Sequence, residues 1–352
     1  MTDPSSKIPV TILTGFLGSG KTTLLNHILA GRHGHRIAVI ENEVGEVDVD
    51  SDLVMTSKEE IFQIVNDCLC CVISVRDDLV KILHKLLEMK DQFDSILVEA
   101  SGLTDPTPIA ATFFKDEVLA LQLSLDGIVT LVDALHFERH LEDPALDGHD
   151  NQAVDQILVA DRILLNKTDL VDDAALVRIE SRIRGLNATA DILRTRHAQV
   201  DLRHILGIQG FAPSSLYIRE PHFLSEPSLV GNEHSDHDHG EASGHEHDPS
   251  ISTVSHLFAE SFDLPRLETW LQALVEADGD HLFRLKGIVA IAGDTRRYVL
   301  QGVHRILELR AAEPWDGQTP RSKFVFIGRH LQGQVLRAGL SRCLAIPEPC
   351  PA

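Results

Sequence analysis

Eight consecutive residues, Gly15-Phe16-Leu17-Gly18-Ser19-Gly20-Lys21-Thr22, match the spacing of a phosphate-binding loop in full. The chemistry needs these residue types. Gly15, Gly18 and Gly20 let backbone N–H groups around Ser19 turn inward onto phosphate oxygens. A helix start just after the loop adds partial positive charge. Lys21 is the candidate catalytic cation, reaching the β- and γ-phosphates. The Thr22 hydroxyl is a candidate Mg²⁺ ligand, and Thr23 is placed for the α-phosphate.

A second motif, Asn166-Lys167-Thr168-Asp169, follows an apolar run. A carboxylate at Asp169 can accept hydrogen bonds from guanine N1 and N2, which adenine cannot supply. Leaving that acceptor unpaired is costly, so the motif favours GTP over ATP. Glu99-Ala100-Ser101-Gly102 follows another apolar run. Glu99 is expected to hold Mg²⁺ through water and to take part in catalysis, and the Gly102 N–H to sense the γ-phosphate. Leu103 stands where Ras-like proteins carry a water-positioning glutamine, so slow intrinsic hydrolysis is expected. Glu41, Glu43 and Glu46 follow a further strand and are candidates to assist; Glu43 is taken as the third catalytic residue.

A third constellation points to metal. Cys68, Cys70 and Cys71 stand within four residues, directly after Asp67. Thiolates so spaced suit Zn²⁺, Co²⁺ or Cu⁺. Three are too few for a closed Cys₄ site, so Glu43, a histidine or water would complete it. An open site suits a protein that releases its metal. Between residues 221 and 250, His234, His237, His239, His245 and His247 alternate with carboxylates and are candidate weak ligands that collect metal.

Strands and helices must carry these motifs. Apolar runs at 8–14, 36–40, 61–65, 95–100, 127–134, 162–166 and 191–195 read as buried strands. Residues 77–90 and 171–187, and the stretch after the phosphate loop, have helical spacing. Strands alternating with helices predict an α/β fold with a doubly wound, mostly parallel sheet. The expected organisation is a P-loop domain over 1–220, a histidine-rich linker over 221–250, a smaller α+β domain over 251–345 and a disordered tail over 346–352. In that second domain, strands around 254–262, 284–293, 298–303 and 323–329 accompany a helix at 266–277, with one or two helices backing the sheet.

The 352 residues carry 53 acidic and 32 basic side chains, a formal charge of -21, which disfavours nucleic acid and anionic membrane as partners. Five cysteines, an odd number without framework spacing, point to a reduced, cytoplasmic compartment. No secretory signal or membrane-spanning run is expected.

Taken together, the segments GFLGSGKTTLL at 15–25, ENEVGEVDVD at 41–50, CLCC at 68–71, EASGLTDP at 99–106 and NKTD at 166–169 resemble the CobW-type metallochaperone GTPases. RLKGIVAIAG, YVLQGVH and FVFIGRHL resemble that family's C-terminal domain. The resemblance implies a SIMIBI-class P-loop domain followed by a small sheet domain. It implies Mg²⁺-GTP as the switch, Cys68, Cys70 and Cys71 as ligands for zinc, and a client metalloprotein that receives the metal on hydrolysis. Cobalt delivery for cobalamin synthesis is the alternative within the family. A GTP-dependent switch or scaffold without metal delivery is the alternative outside it, and a homodimer stays open. The family usually has glycine before the first cysteine, where this chain has Asp67, and commonly has glycine at Asp48.

Overall fold

A computed structural model of the chain describes residues 7–31, 33–43, 61–67, 74–102, 105–141, 151–211 and 251–345, with the backbone alone at 41–43, 61–67 and 74–78. The chain divides into two compact units, Met1–Ser215 and Leu216–Ala352. The expected linker at 221–250 and tail at 346–352 lie outside the described residues.

Among the described residues, the first unit holds seven strands: β1 (Ile8–Gly15), β2 (Ile37–Glu43), β3 (Ile61–Asp67), β4 (Ser95–Glu99), β5 (Leu123–Asp133), β6 (Arg162–Asn166) and β7 (Asp191–Arg194). All pair in parallel, in the order β3-β2-β4-β1-β5-β6-β7. Parallel strands between helical layers are buried on both faces, so their sequences read as continuous apolar runs rather than alternating ones. Val10, Ile12, Leu13, Ile96, Leu97, Val98, Ile163, Leu164 and Leu165 are all at 0% exposure. The helices α1 (Lys21–Ala30), α2 (Ser74–Leu87), α3 (Thr107–Lys115), α4 (Glu117–Gln122), α5 (Phe137–Leu141), α6 (Gln152–Leu158) and α7 (Asp173–Leu186) connect the strands. Asp172 caps α7 by accepting a 2.7 Å hydrogen bond from the Ala175 N–H, satisfying a donor the helix leaves free.

Strand order fixes where a ligand belongs. The chain lays β2, β3 and β4 on one side of β1, then crosses to β5, β6 and β7 on the other. In such sheets the crevice lies beyond the carboxyl ends of the strands at the reversal. Gly15, Glu99, Asp133 and Asn166 end β1, β4, β5 and β6 there.

The second unit is an antiparallel sheet of β8 (Ile251–Phe258), β9 (Leu282–Ala290), β10 (Arg296–Val303), β11 (Ile306–Pro314) and β12 (Ser322–Arg329), in the order β11-β10-β9-β12-β8. Its core meets two helices, α8 (Leu264–Asp278) and α9 (Gly333–Arg342). Phe262 packs edge-on against both Phe258 and Phe324, with ring centroids 5.2 Å apart in each pair. Gly339 lets α9 approach α8 closely, because a Cβ there would lie 2.3 Å from Trp270 Nε1. The sequence reading has no strand at β11 and places no helix at α9; both are additions made by the structure.

Candidate nucleotide site

The loop between β1 and α1 has the backbone its glycines were expected to provide. Gly15, Gly18 and Gly20 have φ of 144°, 75° and 111°, angles open to glycine and strained for other residues. A Cβ on Gly15 would lie 2.4 Å from the Leu131 carbonyl oxygen. The Ser19 N–H donates to the Phe16 carbonyl at 3.1 Å and closes the turn. Ser19 is 1% exposed and its Oγ has no hydrogen-bond partner among the described residues. A buried polar atom in a glycine cradle fits a loop shaped for phosphate oxygens.

Lys21 begins α1 and is buried. Its ammonium donates to the Gly15 carbonyl at 2.7 Å and to the Phe16 carbonyl at 3.4 Å. Burial lowers its pKa, and the nearby Glu99 carboxylate opposes that shift. Glu99 closes β4, pairs in register with Leu13 and is 8% exposed. Thr22 and Thr23 are exposed on the first turn of α1. A hydroxyl from Thr22 and a carboxylate from Glu99 are hard oxygen donors of the kind that Mg²⁺ takes.

Asn166 joins the loop to the far side of the site. Its Nδ2 donates to the Ser19 carbonyl at 2.9 Å. Its Oδ1 accepts from the Thr195 hydroxyl at 3.1 Å and from the Ala198 N–H at 2.9 Å. The side chain is 2% exposed, and these three partners all belong to the protein. A Cβ on Gly20 would sit 2.5 Å from the same Nδ2, so the glycine makes room for the amide. Lys167, in left-handed backbone at φ 59°, donates to Asp133 at 2.7 Å. Asp133 also accepts from His136 Nδ1 at 2.9 Å and from the Leu135 N–H at 2.9 Å. Burial works to raise the Asp133 carboxyl, but the Lys167 and His136 hydrogen bonds outweigh it and hold the group below the usual range. Asp169 is exposed and lines an open cleft with Thr168, Arg194, Thr195, Arg196 and Gln199. Asp169 carries the motif's one carboxylate and stands exposed at this cleft.

Gly102 lies against the tip of the loop, where a Cβ would come within 2.9 Å of the Leu17 backbone nitrogen and 2.8 Å of its side chain. Its carbonyl accepts a 3.2 Å hydrogen bond from Gln156 Nε2, and Gln156 is 1% exposed. On the same side, the His140 ring packs 4.3 Å from that of Phe16.

The structure therefore gathers Gly15, Gly18, Ser19, Gly20, Lys21, Glu99, Gly102 and Asn166 at one end of one sheet. Glu43 ends β2 and is the register partner of Asp67, which ends β3. The candidate metal ligands Cys68, Cys70 and Cys71, and His234, His237, His239, His245 and His247, lie outside the described residues, as do Glu46 and Leu103.

The model of the CobW/HypB/UreG nucleotide-binding domain matches residues 9–194, and that of the cobalamin synthesis protein cobW C-terminal domain matches residues 251–344. The chain belongs to the CobW/HypB/UreG family. It is 35% identical to the zinc chaperone YjiA of Escherichia coli, over 95% of this chain and 98% of that one. It is 33% identical to the zinc chaperone CobW of Pseudomonas aeruginosa, over 97% and 92%. The crystal structure of the Zn(II)-bound YjiA GTPase from E. coli superposes with a TM-score of 0.70 at 32% identity, covering 96% and 99% of the two chains.

Within this CobW-type chain, sequence reading missed Gln156, Asp133, Thr195 and Ala198. Asp133 carried a usable signal, as a lone carboxylate closing an apolar strand. The others carried none, because they reach the site from helices and loops distant in sequence.

Proposed function

We propose that this chain is a GTP-hydrolysing zinc chaperone. It takes Mg²⁺-GTP in the loop from Gly15 to Thr23, carries zinc as cargo on Cys68, Cys70 and Cys71, and hands it to a client metalloprotein when GTP is hydrolysed. Thr22 and Glu99 would hold Mg²⁺, which supplies charge neutralisation on the phosphates. Lys21 orients the phosphate chain. Asp169 selects guanine. The cytoplasm is the compartment in which three free thiols stay reduced; among the described residues, no helix is long and apolar enough to cross a membrane.

One observation carries this reading. The strand order β3-β2-β4-β1 sets Asp67, Glu43, Glu99 and Gly15 at neighbouring strand ends. Asp67 thus ends β3 three strand spacings from the phosphate loop at the end of β1, and Cys68 is the next residue in the chain after Asp67. The names of the relatives, zinc chaperones in E. coli and P. aeruginosa, favour zinc as cargo over cobalt.

The test is a zinc titration of the protein loaded with Mg²⁺ and either GDP or a non-hydrolysable GTP analogue. It is repeated with Cys68→Ala, Cys70→Ala and Cys71→Ala. Tighter, cysteine-dependent binding in the GTP-like state is expected. Equal affinity in the two states would overturn nucleotide gating and bring forward the switch or scaffold reading. A parallel Co²⁺ titration separates the two cargoes.

A further inference from the structure

We propose that His281 and His330 form a two-histidine site for a borderline divalent metal, Zn²⁺ foremost, at one end of the C-terminal sheet. The proposal is independent of the nucleotide reading above.

His281 directly precedes β9 and His330 directly follows β12. These strands are antiparallel neighbours with Gly328 opposite Leu282, so the two ends meet. The backbone pins them together. The Arg329 N–H donates to the His281 carbonyl at 2.8 Å. Gly328 permits the approach, since a Cβ there would lie 2.3 Å from that same oxygen. His330 has φ 54°, in the left-handed region that costs a non-glycine residue energy and is held only by its surroundings. The two rings end up with centroids 6.4 Å apart and planes at 71°.

That geometry suits a shared ion. With Zn–N bonds of about 2.0–2.1 Å, each ring centroid stands ~3.2 Å from the metal, so two ligands at a tetrahedral angle have centroids ~5.2 Å apart. Both side chains are exposed, so a small rotation of each closes the difference. The tautomer is also set. Asp278 accepts a 2.8 Å hydrogen bond from His281 Nδ1, which leaves the Nε2 lone pair for a metal, the arrangement that carboxylates impose on ligating histidines. A surface ion pair would account for Asp278 beside His281. It would not account for a second imidazole facing the first from strained backbone.

Asp280, next to His281 in the chain, is not a ligand, because Arg305 grips both of its oxygens, at 2.7 and 2.6 Å. Two protein nitrogens with water in the remaining positions give a weak, fast-exchanging site, suited to passing metal on.

The test uses the full chain with the competing ligands removed: Cys68, Cys70 and Cys71 changed to Ser, and His234, His237, His239, His245 and His247 changed to Asn. The GDP-loaded, ¹⁵N-labelled protein is titrated with Zn²⁺ while imidazole nitrogens are followed by long-range ¹H–¹⁵N correlation. The expected result is a saturable shift of the His281 and His330 Nε2 signals with one common midpoint. His281→Gln and His330→Gln should each weaken binding at least tenfold, and Asp278→Asn about tenfold, with unchanged thermal unfolding. Signals that stay still at millimolar zinc, or that move with separate midpoints, overturn the proposal. If the multiply substituted chain does not fold, the same signals are read in the unsubstituted protein beyond its first equivalents of zinc, against the two Gln variants.

Discussion

Changing Asn166 to Asp alters one atom of the amide and separates its two roles. The Asp side chain still accepts from the Thr195 hydroxyl and the Ala198 N–H, as Oδ1 of Asn166 does at 3.1 and 2.9 Å. The donor to the Ser19 carbonyl, now at 2.9 Å, becomes an anionic oxygen facing a carbonyl oxygen. At 2% exposure, water cannot relieve that contact. A lost buried hydrogen bond with its acceptor left unsatisfied costs about 1–3 kcal/mol, and the repulsion adds to it. If the strut shapes the phosphate loop, that energy is withdrawn from nucleotide binding, a loss of roughly ten- to a hundredfold in affinity for GDP and for GTP alike. Asn166→Ala removes all three bonds and should cost more, with a visible fall in Tm. The assay is titration of a fluorescent guanine nucleotide beside thermal unfolding of the nucleotide-free protein. Wild-type affinity in Asn166→Asp would refute the reasoning, whatever its Tm, because the loop would then hold its shape without the strut.

Two glycines of one loop should behave differently in the nucleotide-free protein. Gly18→Ala meets nothing within 4 Å and pays only the backbone strain of φ 75°, about 1–2 kcal/mol; Gly20→Ala also drives a methyl into Asn166 Nδ2, so its Tm should fall further. Gln156→Leu frees the Gly102 carbonyl and should weaken the GTP analogue more than GDP, with a loss of at least threefold in the GTP/GDP affinity ratio; an unchanged ratio would make Gln156 a packing residue only. The lowered Asp133 carboxyl gives stability that is fully present above the ordinary carboxylate pKa of about 4 and is lost as pH falls through the lower folded value. Unfolding followed from about pH 6 down to pH 3 should show that loss in the parent protein and a flatter profile in Asp133→Asn.

The strands of the first unit were legible because a parallel sheet buries both faces, and runs such as RILLN at 162–166 have few other readings. The helices α5 and α6 were not. FERHL and QAVDQIL are five and seven residues long, too short for a helical period to stand out. Edge strand β11, ILELRAAEP, is only partly buried along most of its length and so lacks the strand signature. The site divides the same way. Gly15 to Thr22 and Asn166 to Asp169 are contiguous because one turn must supply several atoms to one ligand. Gln156 meets Gly102 across 54 residues, and Ala198 meets Asn166 across 32. Such contacts exist only once the sheet has brought its strand ends together.

The sheet also sets what nucleotide gating of zinc must look like. GTP can tighten zinc only if some group differs between the GTP and GDP states and also touches the ligands' placement. The shortest route runs from Lys21 through the Glu99 charge it senses, along β4 to the Val98–Ile40 pairing with β2, and on to Glu43 opposite Asp67. Couplings through such contiguous packing are typically about 1–3 kcal/mol, or 5- to 150-fold in affinity. Linkage then requires the reverse effect at equal size: zinc must raise the affinity for the GTP analogue over GDP by the same factor. Glu99→Gln keeps the shape of the strand end but removes the charge that Lys21 senses, so it should reduce both factors together. A variant that lost one factor and kept the other would break the thermodynamic cycle, and would mean that zinc had bound at a second site that GTP does not govern.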